Sequence, residues 1–193
     1  MDLRIQKTKA AIKSAFLELR RSKPIEKITV TGLSRLAGIN KATFYLHYSD
    51  IYSLAEEIED ETIDNILGEL QGIKKFFDDP KMHSSEMLNA FINNRRMLST
   101  VFSGSRQSCF ANKIENGIKA KLYAEFPDLH SRQNDVALTF LILGAFYTVA
   151  ESIPDKDAAD SEELEMISRL TDCLISEIQL PGRKNGDTAS KKH

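Results

Sequence analysis

At 193 residues, with 41% hydrophobic and 28% charged side chains, the chain has an ordinary soluble composition and is long enough for one well-filled core or a small domain joined to a larger one. Only two cysteines, Cys109 and Cys173, are present. They exclude a disulfide framework and a cysteine metal site, and read as reduced thiols in a core or interface. A net charge of −2 hides an asymmetry: residues 1–50 hold ten Lys/Arg against four Asp/Glu, and the remainder sixteen against twenty-four. A basic front on an acidic body points to a polyanion-binding module attached to something that does not bind polyanions.

The long runs between few Pro and Gly carry a 3.6-residue apolar period and no convincing period of two, so the expected fold class is all-α. The N-terminus is charged, without the apolar stretch of a signal peptide. Val136–Ala150, the most apolar run, is interrupted by Thr139 and Thr148 and is too short to span a bilayer. The expectation is a cytoplasmic protein with no membrane partner.

The first helix is expected over Ile5–Arg21. Ile5, Ile12, Ala15, Phe16 and Leu19 lie on one face, and Arg4, Lys7, Lys13 and Arg20 elsewhere on the surface. Ser22-Lys23-Pro24 ends it, because the residue before proline avoids the α region. Ile25 and Ile28 can staple the next helix as it enters. That helix is expected to be capped by Thr31, whose hydroxyl would accept a first-turn N–H. Leu33, Leu36 and Ala37 form its apolar face, and Gly38 ends it as a residue tolerating positive φ. Ile39 plugs into the core. Asn40 caps another helix from Lys41 to about Tyr48.

On this helix Phe44 and Tyr48, four apart, point inward. Ala42 and Leu46 point the opposite way, flanked by Lys41, Thr43 and Tyr45. A leucine beside an alanine is odd for a solvated face. It suits thymine methyls and base edges in a DNA major groove. Thr43, Tyr45 and His47 are hydroxyl and imidazole donors of the kind that hold phosphate oxygens and fix register. The unit has the sequence form of a helix-turn-helix.

Residues 5–57 resemble the DNA-binding domain of the TetR/AcrR family of bacterial regulators. The resemblance rests on Phe16-Leu17-Glu18-Leu19, on Ile28-Thr29-Val30-Thr31, on the run from Leu36-Ala37-Gly38 through Thr43-Phe44-Tyr45-Leu46-His47-Tyr48, and on Leu54. It covers about a quarter of the chain. It implies that Thr29 or Thr31, Thr43, Tyr45 and His47 hold phosphates, while Lys41, Ala42 and Leu46, behind the Asn40 cap, meet bases. It also implies double-stranded DNA and a second copy of the chain as partners. Two positions depart from the family: Ile51 stands where a phosphate-binding lysine is frequent, leaving Ser49 or Tyr52 to substitute, and Gly32 stands where an acidic residue is common.

Ser49 or Asp50 is expected to cap a long fourth helix reaching about Phe77. Leu54, Ile58, Ile63, Ile66, Leu67 and Leu70 are buried, Gly68 and Gly72 mark a bend or a close approach, and the acidic run Glu56 to Glu61 forms a solvated face. A fifth helix begins at Ser84-Ser85-Glu86-Met87 and reaches Phe102, with polar Asn93-Asn94-Arg95-Arg96 in its middle. A sixth runs from about Arg106 to Glu125. A seventh, about Ser131 to Ile153, is apolar nearly all round, which predicts burial between the body and a partner subunit. Gly144 and Ala145 would admit a close helix. The last helix, Ser161–Ile178, carries Leu164, Ile167, Leu170, Leu174 and Ile178 in one stripe and would complete a four-helix dimer bundle with the seventh.

The resulting expectation is a DNA-binding head over 1–50, a helical ligand-binding and dimerisation body over 51–180, and a disordered tail over 181–193. Met87, Phe91, Met97, Phe102, Phe110, Tyr123 and Phe126 are the candidate lining of an apolar effector cavity between helices four and seven. The expected function is a transcriptional regulator, a repressor, that binds a pseudo-palindromic operator as a homodimer and is released by a small apolar or amphipathic effector. The alternatives are an architectural DNA binder without effector, or a helical enzyme. No phosphate loop, metal spacing or nucleophile set supports an enzyme, and no cofactor is implied. His47, His83, His130 and His193 are scattered.

Overall fold

A computed structural model describes residues 3–69 and 80–152, together with 165–166, 169–171, 173–175 and 178. All regular structure among these residues is helical. Seven α-helices are described in full: α1 (Leu3–Arg20), α2 (Val30–Leu36), α3 (Lys41–Tyr45), α4 (Ile51–Glu69), α5 (Pro80–Val101), α6 (Gln107–Glu125) and α7 (Arg132–Ser152). Among the described residues no helix is long and apolar enough to cross a membrane. The end of the expected fourth helix, Gly72, the start of the last helix and the tail over 181–193 lie outside the described residues.

The chain divides into two compact units: residues 1–70 with 89–117, and residues 71–88 with 118–193. The boundary expected near residue 50 falls inside the first unit.

In the first unit α1 packs on α2, and α2 on α3. Ile12, Phe16, Ile25, Leu33, Phe44 and Leu54 are essentially inaccessible and form one apolar centre. Ile5 and Leu36, expected in this core, are exposed. Leu36 stands in the last turn of a seven-residue helix, too short to bury a second stripe. Along α4, Ile58, Ile63, Ile66 and Leu67 are buried as the period predicts.

The expected solvated face of α4 is overturned by Glu59, which has 0% exposure. Arg106 grips it with two guanidinium nitrogens, each donating at 2.6 Å, and the Lys113 ammonium lies 3.6 Å away. A buried carboxylate needs such compensation, because desolvation alone would cost several kcal/mol, on the order of the whole ion-pair gain. The expected surface position of Arg20 is overturned in the same way. Its guanidinium is buried and donates to the carbonyls of Lys23 (3.2 Å), Val101 (3.3 Å) and Ser103 (3.0 Å) and to the Ser103 hydroxyl (2.6 Å). The end of α1 is thereby fastened to the end of α5.

The close approach between helices is made at Gly117 rather than at Gly68. A Cβ at Gly117 would stand 2.5 Å from Leu67 Cδ1, whereas one at Gly68 would meet open space. A side chain at this position of α6 would require Leu67 on α4 to shift.

In the second unit Leu122, Leu129, Leu138, Leu141 and Ile142 are buried. The Lys119 ammonium donates to Asp135 (2.7 Å) and Thr139 (2.6 Å), and the Tyr123 hydroxyl donates to Asp135 (3.0 Å). The Lys119 ammonium first and the Tyr123 hydroxyl second hold the Asp135 carboxyl below its ordinary pKa. Within the single chain Val136, Phe140 and Tyr147 of α7 are exposed. Cys109 is half-buried and Cys173 exposed, and neither is in a disulfide.

Candidate nucleic-acid interface

The α2–α3 segment is built by local capping. Thr29, not Thr31, caps α2. It has extended backbone (φ −108°, ψ 147°), and its Oγ1 accepts the Gly32 N–H at 3.1 Å. A threonine two residues later is already helical and cannot cap. Gly32 fits this cap closely, since a Cβ there would lie 3.3 Å from Thr29 Oγ1.

The end of α2 is a Schellman turn. Gly38 adopts φ +67°, its N–H donates to Arg35 O, and the Ile39 N–H reaches back to Ser34 O at 3.0 Å. Asn40 then caps α3: its Oδ1 accepts the Thr43 N–H at 2.7 Å. The helix ends at Tyr45 rather than near Tyr48, because the His47 N–H bonds back three residues to Phe44 O, tightening the last turn.

These caps aim the side chains. Phe44 and Tyr48 are buried, with ring centroids 5.7 Å apart. On the other side Lys41 and Ala42 are exposed, Tyr45 is 57% exposed and Leu46 81% exposed. The Tyr45 ring stands edge-on to Phe44, which limits where its hydroxyl can point. His47 is half-buried beside Tyr48.

The threonines differ. The Thr43 hydroxyl donates to Asn40 Oδ1 at 2.9 Å, so its hydrogen is committed within the cap, and the Asn40 Nδ2 amide is left outward as a donor. Thr29 uses its oxygen as an acceptor, so its hydrogen stays available. Thr31 is exposed in the first turn of α2.

Of the ten cations in residues 1–50, three serve the scaffold. Arg20 is buried, and Lys9 and Lys13 face α4. Lys9 Nζ lies 2.8 Å from Glu57, and Lys13 Nζ lies 2.6 Å from Glu57 and 2.5 Å from Glu61. The Tyr48 hydroxyl donates to the same Glu57 at 3.2 Å. Burial opposes ionisation of Glu57, but the Lys13 and Lys9 ammoniums outweigh it and hold the carboxyl below its ordinary value. Burial and the adjacent Glu57 charge both push the Tyr48 phenol up, so it stays a neutral donor.

By contrast Arg35 and Lys41, on either side of the turn, are exposed and have no hydrogen-bond or ion-pair partner among the described residues. Arg35 was not singled out by the sequence reading. Its place in the last turn of α2 reads equally as a helix-dipole cation.

At the N-terminus of α4, Ile51 is buried, a place a lysine would not take without a partner. Asp50 and Ser53 cap reciprocally: Asp50 Oδ1 accepts the Ser53 N–H at 2.7 Å, and Ser53 Oγ accepts the Asp50 N–H at 3.2 Å. The Asp50 carboxylate thus supplies the negative charge that a phosphate would otherwise bring to this helix end. Ser49 and Tyr52 are exposed beside it.

The effector-lining candidates fall in both units. Phe91, Phe102 and Phe110 cluster in the first unit, with centroids 6.1 Å (Phe91–Phe110) and 4.7 Å (Phe102–Phe110) apart. Met97 is exposed on α5. Met87, Tyr123 and Phe126 belong to the second unit, all half-buried. Tyr123 is engaged with Asp135 and stacked on His130 at 4.6 Å.

No protein-family model matches the chain, and no curated protein is similar to it at a significant level.

Proposed function

We propose that the chain is a DNA-binding transcriptional regulator of the TetR/AcrR type, a repressor that binds a pseudo-palindromic operator as a homodimer and is released by a small-molecule effector. The observation that carries this reading is α3. A short capped helix exposes Leu46 and Ala42 between Lys41 and Tyr45, while Phe44 and Tyr48 anchor its other side. An apolar side chain held out among donors is unfavourable in water and favourable against thymine methyls in a major groove. In this reading Lys41, Ala42 and Leu46 meet base edges. Tyr45, His47, Thr29 and the Asn40 amide hold phosphates. The tie from Lys9 and Lys13 to Glu57 sets the angle of the unit on α4.

Fluorescence anisotropy on a selected operator tests the assignment. Lys41→Ala should weaken specific binding by about 1–3 kcal/mol and lower the salt slope by about one. Tyr45→Ala should weaken binding evenly across sequences and leave the salt slope nearly unchanged, because tyrosine carries no charge to displace a counterion. A Lys41→Ala protein with unaltered affinity and preference would overturn this docking of α3.

A further inference from the structure

An open groove of about 610 Å³ runs between α1 and α5, within the first unit. Its lining includes two cations that are not matched to a carboxylate among the described residues. Lys9, Lys13, Arg106 and Lys113 are matched to carboxylates on α4. Arg21 and Arg96 both line the groove, and neither guanidinium has a hydrogen-bond or ion-pair partner among the described residues.

The remaining polar lining narrows what can bind. Ser99 and Thr100 donate their hydroxyl hydrogens to the Arg96 carbonyl, at 3.1 and 2.9 Å, and so offer no donor to a ligand. The Asn94 amide donates to Ala90 O at 2.9 Å and reaches the Glu69 carboxylate at 3.3 Å. The uncommitted donors are two guanidiniums and the Asn93 amide, a set suited to an anion and not to a cation. Guanidinium forks fit carboxylate and phosphate oxygens two at a time. Glu69 at the Asn94 edge repels a second negative group. Leu17 and the 41%-exposed Met97 add an apolar surface to the same groove.

We propose that the α1–α5 groove binds a small organic anion with one carboxylate or phosphate head and a short apolar portion. Arg21 and Arg96 hold the head, and Leu17 and Met97 take the apolar part. The groove follows the seam that Arg20 fastens through Val101 and Ser103: Arg21 is the next residue after Arg20, and Thr100 the one before Val101. Occupancy therefore stabilises that seam. The proposal is independent of the DNA-binding reading.

The test uses the full chain with hexanoate, hexyl phosphate, inorganic phosphate and hexanol as probes, read by calorimetry and by the Met97 methyl resonance. Hexanoate or hexyl phosphate should bind, move that resonance and raise the unfolding midpoint, while inorganic phosphate and hexanol bind at least about tenfold more weakly. The tighter of the two amphipathic probes identifies the head group. Arg21→Gln and Arg96→Gln, both at exposed positions, should each weaken binding about tenfold or more. Arg95→Gln, adjacent but outside the groove, should change nothing. The proposal is overturned if neither amphipathic anion moves the Met97 methyl at millimolar concentration, if hexanol binds as well as hexanoate, or if Arg95→Gln weakens binding as much as Arg96→Gln. A short DNA duplex that moves the Met97 methyl when the anions do not would also overturn it, in favour of a backbone phosphate contact.

Discussion

Among the helices that expose large apolar side chains, α3 and α7 do so in different company. On α3, Leu46 stands alone, with Lys41, Tyr45 and the Asn40 amide around it. On α7, Val136 (63% exposed), Phe140 (69%) and Tyr147 follow one another at i, i+4 and i+11, with half-buried Leu143 between them. Arg132, at the first residue of α7, is the only basic residue in the helix, and Gly144 leaves open space beside that stripe. A single apolar group among donors suits a polar groove with scattered methyls. A continuous stripe free of cations suits another apolar helix, and stripes of this kind on a soluble chain mark association surfaces. The contrast is the basis for proposing nucleic acid as the partner of α3 and a second copy of the chain as the partner of α7.

The largest expected effect concerns the frame that holds α3. Glu59→Ala leaves the Arg106 guanidinium without its buried partner and should lower stability by about 3–5 kcal/mol. Thermal or urea unfolding measures it, and a loss below about 1 kcal/mol would mean that Glu59 is solvated in the folded protein.

Next is a pair of substitutions that separates the two surfaces. Phe140→Glu places a charge at the centre of the α7 stripe and, in a two-fold interface, opposite its own copy. Dimer dissociation measured by sedimentation should shift by at least about a hundredfold, since like charges so placed cost several kcal/mol. Leu46→Glu should leave the dimer intact and abolish operator binding, through charge repulsion by the phosphates. If Leu46→Glu dissociated the dimer and Phe140→Glu did not, the assignment of the two surfaces would have to be exchanged.

The smallest effect is on pH dependence. The Glu57 carboxyl titrates below its ordinary value in the folded state, with burial opposing and the Lys13 and Lys9 ammoniums prevailing. The stability it confers is present in full above the ordinary carboxylate range and is lost as pH falls through the depressed value. Glu57→Gln should therefore flatten the acid limb of the stability curve below about pH 4.5 and leave the neutral region closer to wild type. An unchanged acid limb would show that the Lys9–Glu57–Lys13 tie is not formed in solution.

Much of the helical plan was legible because it is local. The Gly38 turn, the Asn40 cap and the inward pair Phe44 and Tyr48 follow from spacing within one or two turns, and the bounds of α6 and the start of α7 agree with expectation to within a residue. Thr29 was passed over for Thr31 because both are good caps, and the choice depends on where the chain leaves extended backbone. The buried charges could not be read from pattern. Besides Lys23, the partners of Arg20 lie 81 and 83 residues away, and Arg106, which grips Glu59, lies 47 away, so each looks like one more surface charge until the chain is folded. Gly117 was invisible for the same reason, since its meaning comes from Leu67 on another helix. The division of cations into scaffold and free sets likewise emerges only from the packing of α1 against α4. It makes Arg21, Arg35, Lys41 and Arg96 more informative than net charge.

The central claim is that α3 reads DNA sequence. Selection of bound duplexes from a random library, at one fixed near-physiological salt concentration, tests it most directly. The account predicts enrichment of a pseudo-palindrome whose half-site preference is altered by Lys41→Ala and untouched by Phe140→Ala. Recovery of duplexes with no common sequence, bound no more tightly than the starting library, would contradict it.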